Sequence, residues 1–150
     1  MKKRLFFAAI LAAVLLAALY FAMPKQLPQV LGNVGDVTLF CEGYEGDCVD
    51  MGGLFAATVD ADGFVSAVLR ATGVKGVCVK YEGGVGDALA IAAELRLRNS
   101  FTDDCGVFSL CGYSPLICGG TRVGGKLVNV QIAVGGGFVY VGTPVILGSF

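Results

Sequence analysis

The feature that most constrains this chain is an uncharged apolar run close to its start. Leu5–Met23 is nineteen residues without a charged side chain, and three basic groups precede it in Met1–Arg4. As an α-helix the run would rise roughly 28 Å, close to the thickness of a bilayer's hydrocarbon core. Basic flanks remain in the cytoplasm. The run therefore predicts a membrane helix within residues 1–23 that places the remaining chain outside the cytoplasm.

A cleaved signal peptide is the alternative for this segment. The apolar region of such a peptide is usually about 7–15 residues and leads to small residues at the cleavage site. The run here is longer, and Tyr20-Phe21-Ala22 matches a cleavage site poorly. We favour an uncleaved single-pass anchor in the cytoplasmic membrane. A linker over residues 24–35 and an exterior domain over residues 36–150 would follow it.

Charge and composition narrow the functions open to the exterior part. Residues 24–150 carry 8 basic and 12 acidic side chains, a formal net charge of −4. No basic stripe is available to neutralise phosphates, so we expect no nucleic-acid partner. The chain has no histidine, which excludes Ser-His-Asp catalysis, Cys-His catalysis and His-ligated metal. We expect neither a cofactor nor a metal.

Short alternating segments predict most of the secondary structure. Strands are predicted at residues 37–41, 54–59 and 77–82, and a hairpin is predicted from residues 126–134 and 138–147 around a glycine turn. Pro144 has no N–H for a sheet, so the last strand should be an edge strand or be broken there. Residues 60–73 predict a helix capped by Asp62 and ended by Gly73.

Residues 88–99 allow two interpretations. Their Ala, Leu, Glu and Arg content favours a helix. Their apolar residues, however, alternate strictly with the others, and we therefore predict a strand, with the preceding GGVGD at residues 83–87 as a hairpin turn. Together the segments predict an α+β domain in which one helix packs on a curved antiparallel sheet.

The six cysteines could be metal ligands, disulfide partners or small buried residues of the core. They are Cys41, Cys48, Cys78, Cys105, Cys111 and Cys118. No C-x₂-C or C-x₄-C pair is present, as zinc and iron–sulfur sites usually require. An even number in an exterior domain fits disulfides. We predict Cys41–Cys48 and one bridge among the last three. The alternative is a set of reduced thiols packed as small apolar residues, which suits Cys41 and Cys78 in predicted strands.

The acidic residues offer a weaker candidate site. Asp60-Ala61-Asp62-Gly63 resembles the start of a calcium loop, but the twelfth position is Ala71 instead of Glu. The start of a capped helix explains these residues fully. GGVGD lacks the spacing of a phosphate-binding loop, and no recognisable pair of catalytic carboxylates is present.

Three motifs near the end of the chain resemble one family. VFSLCGYSPLI, GGKLVNVQIAV and FVYVGTPVIL resemble the closing section of YwmB-like proteins, exported proteins of spore-forming Firmicutes whose fold is similar to the TATA-box-binding protein. The resemblance covers residues 63–150, although Gly148-Ser149-Phe150 departs from the family's acidic–aromatic ending. The matching fold-motif residues are Gly112, Tyr113, Ser114, Asn129, Gly142, Thr143 and Pro144.

The resemblance implies an exported protein of the cell envelope, with a link to sporulation, and it implies no catalytic residue. We therefore expect a non-enzymatic binding or structural module, held to the membrane through residues 5–23, with an unknown envelope protein or polymer as partner. The alternative is a carboxylate-based hydrolase of cell-wall polymers. A thiol-redox protein is disfavoured because the chain has no C-x-x-C.

Overall fold

The computed structural model describes residues 35–102 and 106–147. The predicted anchor and most of the predicted linker therefore lie outside the described residues. The described chain contains ten strands and two helices, in the order β1 Asp36–Tyr44, β2 Val49–Asp50, β3 Phe55–Asp60, α1 Phe64–Arg70, β4 Ala71–Glu82, α2 Val85–Glu94, β5 Arg98–Thr102, β6 Phe108–Tyr113, β7 Thr121–Val123, β8 Lys126–Val128, β9 Val130–Gly135 and β10 Phe138–Thr143.

Eight of these strands form one antiparallel sheet. The order across it is β2-β3-β1-β4-β10-β9-β6-β5, and β7 and β8 form a separate hairpin. The core lies between one sheet face and both helices. The α+β class and the large antiparallel sheet are confirmed, with two helices where one was predicted. Among the described residues, neither helix is long and apolar enough to cross a membrane.

The strands predicted at residues 37–41, 54–59 and 77–82 are present. Val37 and Leu39 of β1 are fully buried, as is Val79 of β4. The predicted hairpin is β9–β10, whose strands close at the pair Gly135 and Phe138. Its predicted first strand, 126–134, is divided, because residues 126–128 form β8 and pair with β7 instead. Its turn glycines have φ of +60° and +83°, a region that glycine enters without steric cost. β10 ends before Pro144, so the strand is broken there, although it lies inside the sheet and not at its edge.

Helix α1 is shorter than predicted at both ends. Asp62 does not cap it. Instead, the backbone N–H of Gly63 donates to Asp60 Oδ1 at 2.7 Å. The helix ends at Arg70, and Ala71 is already extended. Gly73 is therefore a strand residue of β4, with φ of +61°. β4 pairs with the end of β1, where Ala71 lies opposite Tyr44. The last turn of the predicted helix is therefore part of a strand.

Helix α2 shows that the predicted strand over 88–99 and the predicted turn over 83–87 are both wrong. The four buried positions Ala88, Ile91, Ala92 and Leu95 have the i, i+3, i+4, i+7 spacing of a helix face. Leu89 belonged to the alternating set but is 53% exposed. GGVGD begins the helix, because the Gly84 N–H donates to Asp87 Oδ2 at 2.8 Å.

Candidate functional site

A cavity lies at the β5 edge of the sheet. Its volume is about 390 Å³, and its lining residues are Asn99, Ser100, Tyr113, Lys126 and Leu127. These residues come from the edge strand β5, from its neighbour β6 and from β8 of the separate hairpin. The volume falls within the range of small-molecule sites. We refer to it below as the β5-edge cavity.

An irregularity in β5 presents two polar side chains to this cavity. The register with β6 shifts between Arg98, which pairs with Tyr113, and Phe101, which pairs with Cys111. Asn99 has φ of +52°, a left-handed conformation that Asn tolerates better than most residues. Bulges of this kind turn side chains away from the regular alternation. Asn99 and Ser100 are both exposed as a result.

Lys126 supplies the positive charge of the cavity. Its Nζ lies 4.7 Å from the centroid of the Phe101 ring, a cation–π contact that positions the ammonium group without neutralising it. Among residues 35–102 and 106–147, no carboxylate lies within ion-pair distance of Lys126. Among these residues, no carboxylate competes with a ligand for the ammonium group.

The charge of the surrounding chain has the same sign. Residues 95–102 and 106–147 contain four basic side chains and no acidic one; the basic residues are Arg96, Arg98, Arg122 and Lys126. Asp103 and Asp104 lie outside the described residues. Arg122 is engaged in its own hairpin, where its Nη1 donates to the Gly125 carbonyl at 2.9 Å. With Asp103 and Asp104 counted, residues 95–147 carry a formal net charge of +2, in a chain whose net charge is −1.

A buried hydrogen-bond network adjoins, along the chain, two of the segments that line the cavity. Ser114 and Asn129 are both 0% exposed. The Ser114 N–H donates to Asn129 Oδ1 at 2.7 Å, and Asn129 Nδ2 donates to the carbonyls of Ser114 (2.8 Å) and Ile117 (2.7 Å). Ser114 Oγ donates to the Leu95 carbonyl at 2.6 Å. A satisfied buried network rigidifies its surroundings, and this one joins the residue after Tyr113 to the β8–β9 junction.

The fold-motif residues predicted from the sequence form two separate groups. Gly112, Tyr113, Ser114 and Asn129 lie around the buried network beside the cavity. Gly142, Thr143 and Pro144 lie at the end of β10, where a Cβ on Gly142 would come within 2.7 Å of Ile146 Cγ1. The Ile146 N–H donates to Gln131 Oε1 at 3.0 Å. These contacts hold the chain segment after β10 against the sheet.

The cysteines do not converge on one site. Cys41, Cys78 and Cys111 are buried, Cys48 and Cys118 are exposed, and Cys105 lies outside the described residues. Cys41, Cys48, Cys78 and Cys118 are present as thiols, and disulfide formation stays a prediction.

Two of the buried thiols are poor nucleophiles. Burial raises the pKa of the Cys78 thiol to about 11. Burial also raises the pKa of Cys41, with the nearby Cys48 adding to the rise and a hydrogen bond to the Gly43 backbone opposing it. Both thiols are protonated near neutral pH and hence unreactive.

Two carboxylates, those of Asp50 and Asp60, accept hydrogen bonds from backbone N–H groups of their own turns. Asp50 Oδ1 accepts hydrogen bonds from the N–H groups of Gly52 and Gly53, at 2.9 and 3.2 Å. Asp60 bonds Gly63 at the start of α1. Within the described ranges, no group of three Cys, Asp or Glu side chains is arranged to hold a metal ion. The contact of Asp60 agrees with the interpretation of this segment as the start of a helix.

Comparison of the chain with family models, with curated proteins and with solved structures found no match. The assignment of function therefore depends on the geometry described above and on the sequence motifs.

Sequence reasoning missed most of the cavity. Tyr113 was singled out, but as a residue of the fold, and Asn99, Ser100 and Leu127 were not singled out at all. The only local signal was the Asn99-Ser100 pair, since Asn is favoured where a strand becomes irregular. Lys126 lies in the motif GGKLVNVQIAV, but nothing in the sequence indicates that its side chain lines a cavity.

Proposed function

We propose that this chain is a membrane-tethered binding module on the outer side of the cytoplasmic membrane, and that it takes its ligand in the β5-edge cavity. The observation that carries the proposal is the composition of the lining, which combines a cation, an aromatic ring and two neutral polar side chains. Binding sites pair such apolar surface with a few polar groups that orient the ligand.

The same lining disfavours the hydrolase alternative. Hydrolysis of a wall polysaccharide by carboxylates needs two of them about 5–10 Å apart across the scissile bond. None of the five lining residues is acidic. The carboxylates of Asp50 and Asp60 are hydrogen-bonded within their own turns. Recognition without bond cleavage is therefore the function that the cavity supports best.

The proposed location follows from the sequence of the first 35 residues. Leu5–Met23 is the proposed anchor, and the linker over residues 24–35 spans at most roughly 40 Å when fully extended. A domain on so short a linker stays close to the outer surface of the cytoplasmic membrane. It would meet envelope polymers and proteins before it met anything in bulk solution.

The finer fold and family assignment is part of the proposal as well. The three motifs support a YwmB-like protein with a TATA-box-binding-protein-like domain, and an antiparallel sheet with two helices is compatible with that assignment. DNA binding is not carried over, because function depends on the site and not on the fold. The chain has a net charge of −1, and eight acidic residues lie in 35–82.

Thiol labelling of the full chain tests the proposed location. Cys48 and Cys118 are exposed, so a membrane-impermeant maleimide should label both on intact spheroplasts after treatment with an impermeant reductant. Cys78, 7% exposed, should label only after denaturation and serves as the internal control. Labelling of Cys48 and Cys118 only after membrane lysis would place the domain in the cytoplasm. Omitting the reductant shows whether either thiol is held in a disulfide.

A further inference from the structure

We infer that the β5-edge cavity binds an acidic carbohydrate, a sugar ring that bears a phosphate or a carboxylate. The inference rests on the proposed function and names the chemical class of its ligand. Each part of such a ligand has a matching group among the residues that line the cavity.

The anionic group matches Lys126. Its ammonium group is positioned by the Phe101 ring and has no carboxylate partner among the described residues. Across residues 95–102 and 106–147 every charged side chain is basic. An anion placed here gains a charge-assisted contact without displacing an existing ion pair. A divalent cation would be repelled by the same groups.

The sugar ring matches the remaining lining. Tyr113 is half-buried and Leu127 is 46% exposed, so both present apolar surface to the C–H face of a ring. The Asn99 amide both donates and accepts hydrogen bonds, as does the Ser100 hydroxyl. Sugar hydroxyl groups require such mixed partners. A cavity of about 390 Å³ accommodates one or two sugar units and is far too small for a folded macromolecule.

The walls are preformed, which favours binding of a small ligand. Ser114 and Asn129 are fully buried and bonded to each other in both directions. Tyr113 immediately precedes Ser114, and Lys126 lies three residues before Asn129. Little ordering of these two segments is required on binding, and preorganisation of this kind raises affinity.

The test is a titration of the full chain, in uncharged detergent micelles, followed by the amide signals in ¹⁵N–¹H NMR spectra. The probes are glucose 6-phosphate, glucuronate, glucose and inorganic phosphate. We expect the two acidic sugars to shift the amide signals of Asn99, Ser100 and Leu127, and to bind at least tenfold more tightly than glucose or phosphate. The tighter of the two acidic sugars identifies the anionic group.

Matched variants locate the site. Lys126→Gln should weaken binding of the acidic sugars at least tenfold and weaken binding of glucose far less. Asn99→Gly removes the side-chain amide and introduces a residue that also tolerates the left-handed backbone. It should weaken binding of the acidic sugars and of glucose severalfold. Lys75→Gln is the control, because Lys75 pairs with Glu42 in β1 and lies outside the cavity lining.

Three results would overturn the inference. Equal affinity for glucose and glucose 6-phosphate removes the role of the anion. Equal affinity for phosphate and glucose 6-phosphate removes the role of the sugar. Absence of binding by all four probes removes the ligand class. The maleimide experiment is independent of all three, so failure of the ligand assignment is distinguishable from failure of the proposed location.

Discussion

The two ends of the sheet carry opposite charge and use it differently. Residues 35–82, which form β1–β4 and α1, contain eight acidic and three basic side chains, whereas residues 95–102 and 106–147 contain four basic and no acidic ones. At the acidic end, Asp50 and Asp60 close turns and Glu42 forms an ion pair. At the basic end, Lys126 borders a cavity and lacks a carboxylate partner among the described residues.

This difference shows why a count of charges is a poor guide to a binding site. The acidic residues are more numerous, but three of them, Asp50, Asp60 and Glu42, are already engaged in local contacts. The single ammonium group of Lys126 is chemically more available because no described carboxylate neutralises it. A charge beside a preformed cavity is a better candidate for recognition than a larger number of solvated charges on a loop.

The largest expected effect lies at the basic end. Asn129→Ala leaves the Ser114 N–H and the carbonyls of Ser114 and Ile117 without their side-chain partner. Because these groups are buried, we expect the free energy of unfolding to fall by about 3–5 kcal/mol. Urea denaturation measures the change. Asn99→Gly, an exposed amide of the same end, should cost under about 1 kcal/mol. A similar small loss for Asn129→Ala would show that the network does not hold the cavity walls.

The second effect is a pH dependence at the centre of the sheet. Burial holds the pKa of Cys78 at about 11, above its ordinary value of 9.0. Between these two values the unfolded chain binds fewer protons than the folded one, so stability falls as pH rises through pH 9–11. We expect a loss on the order of 2 kcal/mol by pH 11.

Urea denaturation at several pH values checks this prediction. Cys78→Ala is the matched control, because it removes the titrating thiol and should abolish most of the decline between pH 9 and 10. Burial also raises the pKa of Tyr81 from 10.0 to about 12, so Tyr81 lowers stability over pH 10–12 in the parent chain and in Cys78→Ala alike. An identical pH profile for the parent chain and Cys78→Ala would contradict the assignment.

The third effect concerns the turn carboxylate of the acidic end. Asp60→Ala removes the acceptor of the Gly63 N–H at the start of α1, and we expect a loss of about 1 kcal/mol. Asp62→Ala is the matched control and should be nearly neutral, because α1 has no side-chain cap from that residue. Thermal or urea denaturation distinguishes them. A larger loss for Asp62→Ala would restore the cap predicted from the sequence.

The smallest effect is the surface ion pair of Lys75 and Glu42. Their charged atoms are 2.6 Å apart, but the two side chains are 51% and 59% exposed. Solvent screening limits such a pair to about 0–1 kcal/mol. A double-mutant cycle with Lys75→Gln and Glu42→Gln measures the coupling, which should vanish in 1 M salt. A coupling comparable to the loss in Asn129→Ala would remove the contrast between the two ends.

The sequence alone determined those elements whose pattern is local and unambiguous. The alternation of Val130, Ile132 and Val134 around the glycine turn predicted the β9–β10 hairpin, and the alternation in β1 and β4 predicted buried strands. The alternating residues of these strands belong to the main core, and a period of two places them on one sheet face. Neighbours on the other face, such as Cys78 and Ala133, are buried as well. Residues 60–63 were likewise correctly interpreted as the start of a helix, although the carboxylate that bonds there belongs to Asp60 and not to Asp62.

Tertiary structure decided where two local patterns competed. Residues 88–95 satisfy a strand pattern through Leu89, Ile91 and Leu95 and a helix pattern through Ala88, Ile91, Ala92 and Leu95. Because two of the four helix-face residues are alanines, the apolar face of the helix is hard to detect in the sequence. Packing of that face against the sheet favoured the helix over the strand. In the same way, pairing of β4 with β1 ended α1 at Arg70, because a strand partner outweighs weak helix propensity in a short segment.

The cavity could not be deduced from the sequence for a geometric reason. Its lining comes from residues 99–100, 113 and 126–127, which no periodicity relates to one another. Only the pairing of β5 with β6, and the placement of the β7–β8 hairpin by Asn129 and Ser114, bring them together. The local sequence pattern determined several strands of the sheet and the polarity and charge of each side chain. Long-range strand pairing decided which of those side chains line the same cavity.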